Sequence, residues 1–169
     1  MNRPDRNASA TLHLEPEHVS FITSDGVSCA VAARDASNQP SVAKGLAVRV
    51  RPDRRTVEVF VDAERSGALL RDVRAGSPLA FVCSEPASHR TIQLKGDRAG
   101  IESVTQDDAR LVAAKVDAVV AHIAPLGYRQ EGLRSYFGFT AAALMKIVFV
   151  ASAAFAQTPG PGAGARLGS

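Results

Sequence analysis

The sequence contains no tryptophan, and its seven Phe and two Tyr make up only 5% of 169 residues. A platform that stacks nucleic-acid bases needs aromatic side chains, so this composition argues against one. The charge surplus is also small, because 20 Lys and Arg against 17 Asp and Glu leave only +3. No nucleic-acid partner is therefore expected. Hydrophobic residues at 46% and charged residues at 22% are typical of one globular domain, predicted to span 1–169.

Cysteine is scarce, and no metal-binding pattern is present. Cys29 and Cys83 stand far apart in apolar runs, with no Cys-x-x-Cys spacing. The sequence therefore predicts neither a disulfide framework nor a zinc site. It predicts two buried thiols in a reducing compartment. The four histidines also lack the spacing of metal ligands, so no metal site is expected.

The sequence shows neither a leader peptide nor a membrane span. Residues 1–9 are polar and lack an apolar core, so no signal peptide is predicted. The run 137–155 is nearly all apolar, but it contains Gly138 and Lys146. Because a spanning helix needs about 20 uninterrupted apolar residues, this run predicts a buried strand and loop. A cytoplasmic protein is expected.

The first third of the chain has the periodicity of β-strands. Four runs rich in β-branched or alternating residues predict two antiparallel hairpins. The first hairpin would turn at Asp25-Gly26 and the second at 52–54. The four predicted strands are 18–24, 27–33, 44–51 and 56–62.

Further along, helical and strand patterns alternate. Helices are predicted at 63–75, ending at Gly76, and at 107–124. Strands are predicted at 78–84, at 91–96 with pairing continued through 97–105, and at 146–155. Residues 1–12 are expected to form a disordered arm, and 157–169 a Gly/Pro-rich tail without regular structure. About seven strands with two helices predict a mainly β (α+β) fold, an antiparallel split β-barrel with accessory helices.

Polar residues occupy one face of several predicted strands. Arg49 and Arg51 oppose Val48 and Val50 across one strand. Thr91, Gln93 and Lys95 similarly share a face of another strand. One interpretation is the solvated side of a half-buried sheet. The other is a cationic wall that binds an anion, since the Arg fork binds two phosphate oxygens at once.

A second polar group opens the first predicted helix. Arg65 and Ser66 directly follow a strand, where a helix N-terminus offers free N–H groups to a phosphate. A solvated first turn explains the same residues. The glycines at 160, 162 and 164 are not a dinucleotide fingerprint, because no helix can follow them. No local nucleophile motif is present either, so the catalytic residues are left unassigned.

The stretch 44–96 resembles the pyridoxamine 5'-phosphate oxidase-like, FMN-binding split-barrel superfamily. The resemblance lies in the Arg49/Arg51 strand, the segment TVEVFVDAERSGALLRDVRAGSPLAFVCSEP and the segment HRTIQLKG. The C-terminal FAQTPGPGAG also looks like the tail of an uncharacterised subgroup. The resemblance implies a homodimer with FMN in a cleft between the subunits. Because 45–50 lacks the oxidase's Arg-x-Val-Leu-Leu-Lys pattern, the substrate stays open.

The resemblance also implies a set of cofactor-binding residues. Arg49 and Arg51 would contact the phosphate or the ring, and Arg65 with Ser66 would form the phosphate cluster. The ring would be lined from the strand at 60–62 and contacted by a Gln. The implied set is Arg49, Val50, Arg51, Phe60, Val61, Asp62, Arg65, Ser66, His89, Thr91 and Gln93.

Three functions are compatible with these features. The first is an FMN-dependent oxidoreductase acting on a small-molecule substrate or electron donor, in which the flavin supplies the chemistry. The second is a non-enzymatic flavin- or haem-binding protein on the same fold. The third is a dimeric structural protein with an empty cleft. Bound pigment separates the third from the others, and reduction by NAD(P)H separates the first from the second.

Overall fold

The structure, a computed structural model, describes residues 12–168. These residues contain ten short strands and four α-helices. The helices are α1 Pro16–Ile22, α2 Gly67–Arg74, α3 Gln106–Ile123 and α4 Gln130–Phe137. The strands are β1 Ser28–Arg34, β2 Pro40–Gly45, β3 Ala47–Val50, β4 Thr56–Asp62, β5 Leu79–Ser84, β6 Thr91–Gly96, β7 Ala99–Glu102, β8 Leu144–Val150, β9 Ala153–Ala156 and β10 Arg166–Leu167. Of the predicted arm at 1–12, only Leu12 lies within the described residues, and it is buried.

The strands form two antiparallel sheets. The larger has the order β10-β9-β6-β5-β1-β2, and the smaller has the order β3-β4-β8-β7. This arrangement confirms the predicted mainly β, antiparallel split barrel with accessory helices. The number of strands exceeds the predicted seven, because single apolar runs of sequence divide between the two sheets.

Two hydrophobic clusters hold these layers together. The inner cluster lies between the sheets and includes Val57, Val59, Phe81 and Phe149. The outer cluster lies where α3 and α4 cover the smaller sheet, and it includes Phe60. Strand β4 is therefore covered on both faces, and all seven of its residues are buried.

The predicted strand at 18–24 is wrong, because this segment forms most of α1. Pro16 occupies the first helical turn, where its missing N–H costs no hydrogen bond. His18, Phe21 and Ile22 are the buried residues, and their spacing of three and four matches one helix face. The β-branched composition of the segment conceals this period.

The predicted hairpin at Asp25-Gly26 is consequently also wrong. Strand β1 pairs instead with β2, with Cys29 opposite Gly45. A Cβ at Gly26 would lie 2.6 Å from Nε2 of the exposed His122, whose side chain would have to turn away. The turn predicted at 52–54 is confirmed, because β3 and β4 pair across it.

Two predicted strands each divide between the sheets. The run 44–51 becomes the end of β2 and the whole of β3, with a change of sheet at Leu46. The run 146–155 divides in the same way into β8 and β9. In the first run the inward-facing positions shift at the bend, from Ala43 and Gly45 on β2 to Val48 and Val50 on β3, whereas 146–155 is too uniformly apolar to show its bend.

The two predicted helices are confirmed as α2 and α3. Gly76 follows α2 with a φ of +82°, a conformation that favours glycine. At the start of α3, Thr105 and Asp108 form a reciprocal capping box. The tail predicted to lack regular structure contains β10, which pairs with β9.

Candidate functional site

A cavity of about 850 Å³ lies between α4 and the outer face of the larger sheet, and we call it the groove. One wall of the groove is the sheet, and it is formed mainly by every second residue of β1, β2 and β5. The residues between them point into the core. These outward-facing residues are Ser28, Ala30, Val42, Lys44, Val82 and Ser84. The facing wall includes Tyr128, Leu133, Tyr136 and Phe137. Its volume falls within the range of about 300–1,000 Å³ that small-molecule sites occupy.

The floor of the groove is a row of side chains that crosses the sheet. Ala30 is opposite Lys44 on β2 and opposite Val82 on β5. Val82 is in turn opposite Gln93 on β6. Directly opposed residues of antiparallel strands project from the same face. From Lys44 to Gln93 the row therefore crosses three strand spacings, about 14 Å, over the small side chains of Ala30 and Val82.

A second cavity of about 230 Å³ adjoins the groove, and we call it the side pocket. Its lining shares Val42, Lys44 and Tyr136 with the groove. The other polar residues around it are Asp62, Arg65 and Ser66. Three of the residues assigned by resemblance thus meet in one pocket.

Two cations stand close together at this junction. Nζ of Lys44 and Nη1 of Arg65 both donate to the carbonyl oxygen of Tyr136, the latter at 3.3 Å. The pKa of Lys44 is lowered to about 8, because burial and then the Arg65 charge lower it and Asp62 opposes them only in part. The junction is therefore a cationic end on an otherwise mainly apolar groove.

Arg49 and Arg51 lie elsewhere, in an ion-pair network beneath α3. Both guanidinium groups bind Glu58, whose side chain is only 3% exposed. Arg49 also binds Asp108 at 2.7 Å, and Asp108 accepts a hydrogen bond from the buried Lys146 at 3.2 Å. Because these carboxylates already occupy the guanidinium groups, we leave both arginines out of the site proposed below.

Asp108 links this network to the cap of α3. Its burial raises the pKa, but the backbone N–H of Thr105 and the side chains of Arg49 and Lys146 lower it to about 2. The folded pKa is thus below the ordinary value of 3.8. Asp108 consequently stabilises the fold above about pH 4, and this contribution is lost as the pH falls towards 2.

Asp108→Asn is expected to lower the free energy of unfolding at pH 7 by about 2 kcal/mol. Urea unfolding of both proteins between pH 7 and pH 2.5 measures the difference, which should shrink below pH 4. Asp107→Asn is the matched control, because Asp107 is adjacent but 87% exposed. A difference that stays constant down to pH 2.5 would contradict the assignment.

The other residues assigned by resemblance lie in the core, on the groove's sheet face and in an exposed loop. Phe60 and Val61 have no exposed surface, so their side chains reach neither cavity. Val50 packs against the inner cluster. Thr91 and Gln93 continue the groove's sheet face, where Thr91 Oγ1 lies 2.8 Å from Ser84 Oγ. His89 is exposed in the β5–β6 loop with a φ of +60°.

Solved structures of similar architecture were found by comparison. The chain matches a candidate pyridoxamine 5'-phosphate oxidase from Lactobacillus delbrueckii with a TM-score of 0.52 and 13% identity, over 89% of this chain and 97% of that one. It matches HupZ from Group A Streptococcus with a TM-score of 0.52 and 14% identity, over 89% and 99% of the two chains. It matches a conserved hypothetical protein from Mycobacterium tuberculosis with a TM-score of 0.51 and 13% identity, over 87% of this chain and 86% of that one.

The chain has the pyridoxamine 5'-phosphate oxidase-like split-barrel fold. At these identities the likeness shows the fold alone. No family model matches the sequence, and no curated protein matches it.

On this split barrel, residues 12–168 include no group of His, Cys, Asp and Glu that could hold a metal ion. Within the same residues, no helix has both the length and the apolar character needed to cross a bilayer.

Sequence reasoning missed the α4 wall of the split barrel's groove. The residues 130–137 carry Leu133 and Phe137 four apart, which is a helical spacing, but charged and polar residues surround them. Lys44 was also missed, because it was assigned to the same strand as Arg49 and Arg51. The bend at Leu46 separates Lys44 from these arginines and turns it towards the groove.

Proposed function

We propose that the chain is an FMN-dependent oxidoreductase, with FMN bound along the groove and its phosphate in the side pocket. The observation that carries the proposal is the sequence of features along one sheet face: the side pocket with Lys44 and Arg65, then the groove floor of Ala30 and Val82, and then Gln93, which is opposite Val82 just beyond the groove lining. A flavin needs these features in this order, because it joins an anionic phosphate to a planar aromatic ring. When bound, FMN would supply the hydride or electron chemistry.

The residues of the chain fit the parts of this cofactor. Arg65 can donate two parallel hydrogen bonds to a phosphate. Ser66 is the N-cap of α2, so the free N–H groups of the first helical turn lie beside it. The mainly apolar lining of the groove offers a contact surface to a ring, and the amide of Gln93 can bond the ring's polar edge.

A second copy of the chain is the proposed cover of the groove. Val42 is 66% exposed, Tyr128 61% and Tyr136 59%, and all three line the groove. Large apolar side chains clustered on one exposed face are typical of an interaction surface. A homodimer would bury them and enclose the flavin between subunits.

The test is FMN binding by the purified protein. A flavin absorption band that survives desalting is expected, and Arg65→Ala should weaken FMN binding about tenfold to a hundredfold, since a charge-assisted hydrogen bond contributes about 1.5–3 kcal/mol. Titration calorimetry measures the affinity. Arg71→Ala is the matched control, because Arg71 is an exposed arginine of α2 that lines neither cavity.

Each proposed function has its own outcome in these measurements. Reduction of the bound flavin by NAD(P)H and its reoxidation support the oxidoreductase, whereas a flavin that does not turn over indicates a binding protein. A haem band instead of a flavin band overturns the choice of cofactor. Sedimentation of the loaded protein tests the dimer, and a monomer with full flavin content contradicts the shared cleft.

A further inference from the structure

The chain has four lysines, and they differ sharply in environment. Lys115 pairs with Asp25 at 2.6 Å, and Lys146 pairs with Asp108 at 3.2 Å. Lys95 is exposed on β6. Lys44 alone of the four lines the groove, and it also lines the side pocket.

The Lys44 amine donates to the carbonyl oxygen of Tyr136 and lies over two aromatic rings, and the neighbouring Arg65 is a cation. Nζ lies 3.6 Å from the centroid of the Tyr136 ring and 4.6 Å from that of Phe137. The charged groups that face it are Arg65, which disfavours its protonation, and Asp62, which favours it. Within residues 12–168, Lys44 is in no salt bridge.

These are the conditions under which a lysine becomes a nucleophile. A half-desolvated amine beside another cation loses its proton more readily than an exposed one. With a pKa of about 8, roughly a tenth of the amines are neutral at pH 7, against about one in 3,000 at the ordinary value of 10.5. The Cys29 thiol of the same groove is not a competing nucleophile, because burial raises its pKa to about 12.

We propose that Lys44 is a covalent attachment site for aromatic aldehydes that carry an anionic group. The anion would occupy the side pocket beside Arg65 and Ser66, and the aromatic ring would lie in the groove against Tyr136. This site stands on the cavities and on Lys44 itself, so it does not depend on FMN binding.

The reaction is the reversible formation of an imine. The neutral Nζ attacks the carbonyl carbon and forms a C–N bond, while a proton from nitrogen reaches the carbonyl oxygen through solvent. Loss of that oxygen as water, which takes the second proton of the amine, then gives the C=N bond. No electrons are gained or lost overall, and the open groove lets the water leave.

Reductive trapping tests the proposal. The protein is incubated at pH 7 with 4-formylbenzoate and cyanoborohydride, and modified lysines are measured by peptide mass spectrometry. Lys44 should be modified on the order of tenfold faster than Lys95, and 4-formylbenzoate should react faster than neutral benzaldehyde at Lys44. Arg65→Ala should remove this preference for the anionic probe, whereas Arg71→Ala should retain it.

Two results would overturn the proposal. Equal modification of Lys44 and Lys95 would show that Lys44 is an ordinary lysine. Fast modification of Lys44 without a preference for the anionic aldehyde would reject the ligand class. Lys95 in the same digest serves as the control for folding and for the reagent. The Lys44→Arg variant should leave the modification of Lys95 unchanged.

The outcome can be separated from that of the proposed function. If FMN occupies the groove, adding it should slow the modification of Lys44 and leave that of Lys95 unchanged. If FMN does not bind, Lys44 should still be modified at the fast rate. Failure of flavin binding and failure of imine formation therefore give different patterns.

Discussion

Glu58→Gln is expected to lower the free energy of unfolding by about 3 kcal/mol. The carboxylate is 3% exposed and binds the guanidinium groups of both Arg49 and Arg51. Removing its charge leaves two cations without their shared buried partner. The expected loss is at the low end of the range for a broken buried pair, because the two arginine side chains remain 39% and 40% exposed to water. Urea unfolding at pH 7 measures it through the midpoint and the slope.

The control for this substitution is Glu131→Gln, which makes the same chemical change on the surface. Glu131 is 86% exposed, and its partner Arg129 is 87% exposed. An exposed ion pair at the start of a helix contributes less than about 1 kcal/mol. If the two variants unfold at the same urea concentration, the network beneath α3 is not what stabilises this part of the fold.

The second large effect is expected from Gly96→Ala, which should destabilise the fold by about 2–3 kcal/mol. A Cβ at Gly96 would lie 2.7 Å from Cδ2 of Phe149 and 3.3 Å from its Cβ. The Phe149 ring is 2% exposed and packs against Phe81, so it has no free space into which to move. The substitution therefore forces the two sheets apart at this point.

Gly100→Ala is the matched control for Gly96→Ala. Gly96 ends β6 and Gly100 lies in β7, the next strand along the chain, but nothing lies within 4 Å of a Cβ added at Gly100. Its stability should be unchanged or higher by up to about 1 kcal/mol, since alanine loses less backbone entropy than glycine. Thermal unfolding of both variants measures the difference in stability between them. Equal melting temperatures would exclude the Phe149 contact as a cause of destabilisation in Gly96→Ala.

How far sequence predicted the fold depended on whether a pattern was local. Helix α3 was predictable because its apolar spacing and its acidic start are both local. Helix α1 was not, since its β-branched residues favour a strand, and only the packing of Phe21 and Ile22 decides the outcome. The bend at Leu46 was missed for a different reason, because 44–51 was taken as one strand although Lys44 has the same parity as the core residues Val48 and Val50.

The candidate site was predictable only in part. Arg65 and Ser66 were found because they follow a strand and begin a helix, and the structure places them in the side pocket. Arg49 and Arg51 have the same chemistry, but their anion is Glu58, nine and seven residues away along the hairpin. The register of the strands decides which carboxylate pairs with which arginine. The amino-acid composition does not specify that register.

The two tyrosines of the chain, Tyr128 and Tyr136, both line the groove. Because the chain has no tryptophan, these residues account for its ultraviolet fluorescence. Emission near the tyrosine maximum thus reports on the groove alone, without any introduced label. A coloured ligand that absorbs at this wavelength would quench it by energy transfer, so the native protein carries its own optical probe of occupancy.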